Sequence, residues 1–238
     1  MKSIINNIPL PLSVIIAGGL IAGAVYISNT KRPVASGPQA QVAAQQSASL
    51  DQIKPITKED HMRGDPNAPV KIVEYSDMEC PFCKSFHSTM QKVMDEYGKG
   101  GKVAWVYRHL PLDSIHSNAR PEAAASECAN ELAGNDGFWK FTDRFFELTP
   151  SNNRTDIGAV IPQIAKEMGL PSQQFSACRT SGKYDKHVQN DLDNATATGG
   201  RGTPWSIVVG KNGNKYPLSG AQPYASVKQL IDLALQEK

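Results

Sequence analysis

The chain lacks an excess of charge of either sign. Its 25 Lys and Arg nearly match its 23 Asp and Glu, leaving a formal net charge of +2. That balance argues against a nucleic-acid partner held by bulk electrostatics. Cysteine is scarce too: the four are Cys80, Cys83, Cys128 and Cys178. A single pair has Cys-x-x-Cys spacing, and neither a second such pair nor paired histidines accompany it. Structural zinc takes four ligands, usually from two such pairs, so no metal and no cofactor is expected. No internal repeat is present. Charge is missing altogether from residues 3–30, and that absence is informative.

Residues 12–27 are apolar apart from Ser13, Gly18, Gly19 and Gly23, and the uncharged run is long enough to span a bilayer. A cleaved signal peptide has a shorter apolar core, of about 7–15 residues. Residues 1–30 therefore read as an uncleaved membrane anchor, although Val34-Ala35-Ser36 offers a cleavage site. Lys2 precedes the run and Lys31 and Arg32 follow it, so flanking charge does not set orientation. Residues 31–57 are rich in Ala, Gln, Ser and Pro and read as a flexible tether. Residues 58–238 remain for one domain with its own core.

That domain is organised around Glu79-Cys80-Pro81-Phe82-Cys83-Lys84. Before it, Val70-Lys71-Ile72-Val73-Glu74-Tyr75 has the β-branched composition of a strand. After it, Phe86, Met90, Val93, Met94 and Tyr97 recur at helical spacing. The pair thus falls where a strand ends and a helix begins. Pro81 suits a first turn, where its missing N–H costs nothing. Unpaired N–H groups at that helix end favour negative charge, so a Cys80 thiolate, the reactive form of the thiol, is stabilised. Cys83 comes one turn later, within reach to close a disulfide. A purely structural disulfide there would close too small a loop to restrict the unfolded chain. The chemistry that fits is a dithiol/disulfide redox centre.

Residues 102–107 read as a second strand covered on both faces. His109 and His116 follow it; weighed as ligands or proton carriers, they read rather as ordinary loop histidines, and His87 as a surface or packing residue. Residues 112–198 carry helical patterning and form an inserted helical subdomain. Its aromatic cluster of Phe138, Trp139, Phe141, Phe145 and Phe146 reads as core. A flexible loop ending in Gly202-Thr203-Pro204 leads into a strand, an Asn212-Gly213 hairpin turn, an edge strand carrying Pro217, and a last helix.

Strand, helix, strand, helical insert, hairpin and helix, with the redox pair at the first strand–helix junction, resemble the thioredoxin fold, an α/β class. Three stretches carry a closer resemblance, to the DsbA-like thiol–disulfide oxidoreductases. They are Glu74-Tyr75-Ser76-Asp77-Met78-Glu79-Cys80-Pro81-Phe82-Cys83, Glu127-Cys128-Ala129-Asn130-Glu131 with Gly137-Phe138-Trp139, and Gly202-Thr203-Pro204. The resemblance implies that Cys80 is the exposed attacking cysteine and Cys83 the buried resolving one. It implies that Pro204 is cis and faces the pair, and that Thr203, with Pro81 and Phe82, borders bound substrate. It offers Glu74 as a buried acid that relays a proton to Cys83; a strand-end carboxylate in water is the other reading. Cys128 and Cys178 read as a second, structural disulfide, as in some relatives. Phe82 departs from the strongly oxidising members, which carry histidine there.

The expected function is thiol–disulfide exchange that introduces disulfides into exported proteins. Its implied partners are cysteine-containing exported polypeptides and a membrane quinone-linked reoxidase, with no nucleic acid. The anchor would tether a monomeric catalytic domain outside the cytoplasm, where disulfides persist. A reductase or isomerase of the same fold, and a tethered peptide-binding holdase, are the alternatives.

Overall fold

The structure is a computed structural model and describes residues 49–237. Among these residues no helix is long and apolar enough to cross a membrane. The anchor expected at residues 1–30, and most of the tether, lie outside them.

Five described strands form one mixed sheet: β1 (His61–Arg63), β2 (Val70–Ser76), β3 (Val103–His109), β4 (Trp205–Val209) and β5 (Lys215–Ser219), in the order β1-β3-β2-β4-β5. β2 and β3 are parallel, in a register that sets Glu74 beside Tyr107 and Ser76 beside His109. β4 runs antiparallel to β2, and β5 antiparallel to β4. Pro217 sits on β5, the outer strand, where no ladder needs its missing N–H. β1 was not anticipated: a three-residue strand shows no alternation, and pairing with β3 alone defines it.

The strand period of two divides β2 between two cores. Val70 and Ile72, with Val103, Trp105 and Tyr107 of β3, face the larger core. Val73 and Tyr75, with Val106 and Ile207, face the other. Glu74 therefore points, with Ile72, toward the larger core. Helix α1 (Pro81–Val93) covers that face, burying Cys83, Phe86, His87, Met90 and Val93 at helical spacing; a wider π-type turn (Met94–Gly98) follows it. Helices α2 (Ala119–Leu148), α3 (Ile157–Glu167), α4 (Ser172–Thr180) and α5 (Asp185–Ala197) lie between β3 and β4, and α6 (Tyr224–Leu235) ends the fold. α2 breaks at Gly134, whose φ of 68° suits glycine. Its aromatic side chains are core, with Phe138, Phe141 and Phe145 fully buried.

The tether does not extend to Thr57. Leu50 is buried beside Val73 and Trp205, and Ile53 and Ile56 pack on the same cluster. Asn194 accepts from the Lys54 N–H at 3.1 Å and donates to the Gln52 carbonyl at 2.7 Å. Arg108 reaches the carbonyls of Lys54 and Pro55. Three spaced apolar side chains and long-range backbone hydrogen bonds fix a segment whose composition alone suggests disorder. His87 is buried, 2.7 Å from Asp143, so of its two readings the packing one holds.

Candidate active site

Cys80 occupies the N-cap of α1 with extended backbone (φ −77°, ψ 123°), and Pro81 takes the first helical turn. Its side chain does not cap the helix, which leaves the sulfur for other contacts. The Cys80 thiol donates weakly to the Thr203 carbonyl at 3.6 Å. The Thr203–Pro204 peptide is cis. Helix end and loop thus meet at one sulfur, 123 residues apart in sequence. Cys83, one turn into α1, is fully buried, and its sulfur accepts from the Asp77 N–H at 3.4 Å.

Both cysteines are free thiols, and their surroundings push them apart. A hydrogen bond from the Cys83 thiol is the largest influence drawing Cys80 down, to about 6. Burial opposes it; Thr203 and the backbone N–H groups of Cys83 and Phe82 assist. Burial pushes Cys83 up, well above the ordinary thiol range, and the neighbouring Cys80 and Glu74 charges add to it. One sulfur is a thiolate near neutral pH and the other a thiol. That is the division needed for one to attack and the other to hold its proton.

Cys80 is less open than expected, with 3% of its surface exposed. The loop ending in Thr203 covers it. Phe82, by contrast, is 64% exposed and Ile115 61%, the two most exposed large apolar side chains among the described residues.

Glu74 is buried rather than in water. Burial raises its carboxyl to about 7, against the opposing pull of Ser76 and the Trp105 indole, whose N–H donates at 2.9 Å. Such a group changes charge near neutrality and feels the Cys83 sulfur.

Asp77, Glu79, His116 and Glu122 were not foreseen as part of the site. Asp77 accepts from the N–H groups of Glu79 and Leu112, both at 2.8 Å, and lies 2.9 Å from His116 Nδ1. Burial pulls His116 down, but Asp77, the Cys80 charge and Asn152 outweigh it and raise it above the ordinary histidine value. An imidazole of raised proton affinity thus stands in the field of the Cys80 thiolate, although the position between the cysteines carries Phe82. Glu79 and Glu122 are both buried. Burial, then the Glu79 carboxylate, push Glu122 up to about 11, so it stays protonated. Glu79 also accepts from the Asn153 N–H at 2.6 Å, and its carbonyl from the Asn152 N–H at 2.9 Å. This ties the redox loop to the α2–α3 connection. Asp77 and Glu79 stand inside the quoted redox motif, so their positions were visible; their partners were not.

A family model described as Thioredoxin matches residues 56–233. The chain belongs to the thioredoxin family. Its solved structural neighbours include Pseudomonas aeruginosa DsbA2 (26% identity, TM-score 0.64, 77% of this chain and 100% of that one). Bacillus subtilis BdbD, in its oxidised form, matches at 23% identity and TM-score 0.68, over 78% and 97% of the two chains. Wolbachia pipientis alpha-DsbA1 matches at 23% and 0.67, over 78% and 95%. A curated relative, the Na(+)/H(+) antiporter NhaA 1 of Mycolicibacterium gilvum, is 34% identical over 165 residues, covering 68% of this chain and 25% of the antiporter. The chain spans about a quarter of the length of the curated relatives it matches. Its fold is similar to the DsbA-type structures within that family.

In this DsbA-like chain Cys80, Pro81, Phe82, Cys83, Glu74, Thr203 and Pro204 gather at one end of the sheet, where β2 runs into α1 and the loop before β4 returns. Cys128 and Cys178 are elsewhere. They form a disulfide joining α2 to α4 within the helical insert.

Proposed function

We propose that the protein introduces disulfides into cysteine-containing exported polypeptides through Cys80 and Cys83. A substrate thiolate attacks Cys80 Sγ of the oxidised pair, and the Cys80–Cys83 bond breaks. The electron pair leaves on Cys83, which takes a proton. A second substrate thiolate then attacks the substrate sulfur of the mixed disulfide and expels Cys80 as thiolate. The substrate gains one disulfide and the enzyme ends as a dithiol, so electrons balance. The observation that carries this reading is the Cys80 thiol lowered to about 6 beside a Cys83 held high. A low-pKa leaving thiolate departs faster and favours the reduced enzyme, hence oxidation of the substrate.

In this reading Glu74 gives and takes the Cys83 proton, a role supported by its carboxyl being raised to about 7. Phe82 and Ile115 offer apolar contact to an unfolded chain, and Thr203 offers its backbone. In this reading the domain acts as a monomer outside the cytoplasm, tethered by residues 1–30, and a quinone-linked membrane partner reoxidises it. The test is oxidation of a reduced, unfolded protein by the oxidised chain, counted as substrate thiols lost per enzyme disulfide. A ratio near two thiols is expected, with none for Cys80→Ser. Full oxidation by Cys80→Ser would instead favour a binding module with a dispensable redox pair.

A further inference from the structure

Three of the five histidines converge on one carboxylate, away from the redox pair. His61 stands on β1, His109 at the end of β3, His187 on α5 and Glu127 on α2. Their Nε2 atoms lie 2.6 Å (His61), 3.0 Å (His109) and 3.4 Å (His187) from the same oxygen, Glu127 Oε1. The three ring centroids are 6.5, 6.3 and 6.3 Å apart, a nearly equilateral triangle around that oxygen. His61, His109 and Glu127 are buried, and their ligand atoms all lie within 4.8 Å of one another.

As a hydrogen-bond network this arrangement is overfilled. One carboxylate oxygen has about two lone-pair directions, yet three imidazole nitrogens address it. As a ligand set it is ordinary. Tetrahedral zinc, with bonds of about 2.0–2.2 Å, separates its ligand atoms by roughly 3.3–3.5 Å. The observed contacts to Glu127 Oε1 reach that spacing by opening less than about 1 Å. Three imidazoles and one carboxylate suit zinc or a similar divalent transition ion; calcium and magnesium prefer all-oxygen sets.

The surroundings support the ligands. Asp191 accepts from the His109 backbone amide at 3.0 Å, holding the end of β3, and lies 3.8 Å from His187 Nε2. Phe138 stacks on His61 at 3.6 Å with planes 9° apart, fixing that ring. A surface cleft of about 240 Å³, lined by His187, Asp191, Asp60 and Arg108 among others, gives an ion a route in. The Arg108 charge along it is taken up by Asp60 at 2.6 Å.

We propose that His61, His109, His187 and Glu127 form a binding site for one divalent transition-metal ion of zinc-like ligand preference. Bound there, the ion clamps the edge strand β1 and two helices of the insert to the end of β3. The site is independent of the thiol chemistry.

The test uses the untagged full chain, stripped with chelator, with Cys80 and Cys83 oxidised so that no thiol competes. Zinc is titrated calorimetrically and cobalt(II) by visible absorption. One equivalent is expected to bind, with the cobalt bands of a four-coordinate nitrogen/oxygen site, no thiolate charge transfer, and a rise in melting temperature. His187→Gln, at the partly exposed ligand, should weaken zinc roughly tenfold or more while leaving the metal-free melting temperature near that of the parent. His61→Asn provides a second variant if His187→Gln unfolds. Absence of stoichiometric binding, or binding unchanged in folded His187→Gln and His61→Asn, would overturn the assignment.

Discussion

Cys80 Sγ lies 3.6 Å from the carbonyl oxygen of Thr203, so the helix end and the cis-proline loop address the same sulfur. Only 3% of Cys80 is open to solvent. Reactivity at this sulfur is set by the groups behind it rather than by exposure.

Reduced-state stability should follow the Cys80 thiol. Its folded value of about 6 lies below the unfolded value of about 8.5, so the folded reduced state binds fewer protons between them. Stability from this group is present above about 8.5 and is lost as pH falls through about 6. The reduced chain should therefore gain stability over the oxidised chain between pH 5 and pH 8, measured by urea unfolding of each. Iodoacetamide labelling should map to Cys80 and spare Cys83. His116→Ala removes that imidazole, and labelling at pH 6 should slow roughly twofold, the fall in thiolate when a value near 6 rises by about half a unit. Equal labelling of both cysteines at neutral pH would refute the assignment of roles.

Replacing Glu74 by Gln should separate stability from catalysis. Its folded value of about 7 lies above the ordinary carboxyl value of 4.5, because burial disfavours the charge. The group's favourable contribution is present below about 4.5 and is lost as pH rises through about 7. Above pH 8 the buried charge costs at most about 3 kcal/mol, which Glu74→Gln recovers. Unfolding at pH 8 should show that gain and at pH 4 almost none. Turnover should fall, because no carboxylate exchanges a proton with Cys83. Unchanged turnover would remove Glu74 from the mechanism.

The Cys128–Cys178 bond closes a separation of 50 residues between α2 and α4. Replacing both by Ala should cost about 3–4 kcal/mol in the chain-entropy model and lower the melting temperature by roughly 10 °C. Redox activity below the melting point should persist, since neither sulfur approaches the site. Activity lost in the folded double variant would assign the bond a part in the exchange.

Much of this site was legible because its signals are local. A β-branched run ending at Tyr75 and helical spacing from Phe86 placed Cys80 at a junction, and Asn212-Gly213 placed the hairpin. Burial of Glu74 follows from its alternation with Ile72, once α1 is known to cover that face. What was not legible depends on pairing across distance. His116 meets Asp77 39 residues away and His109 meets Glu127 18 away, and no periodicity marks such partners. Leu50, Ile53 and Ile56 are too sparse in a polar stretch to signal a packed segment. β1 is too short to carry a pattern.

The most direct test of the oxidase reading is the reduction potential of the Cys80–Cys83 pair, from equilibration with glutathione buffers. A stabilised Cys80 thiolate favours the reduced form and makes the disulfide oxidising; about 30 mV corresponds to 1.4 kcal/mol for this two-electron couple. The account predicts a potential well above the roughly −270 mV of thioredoxin, and a further rise of some tens of mV in Phe82→His. A potential as low as that of thioredoxin, with no oxidation of a reduced unfolded protein, would contradict it and make the protein a reductase.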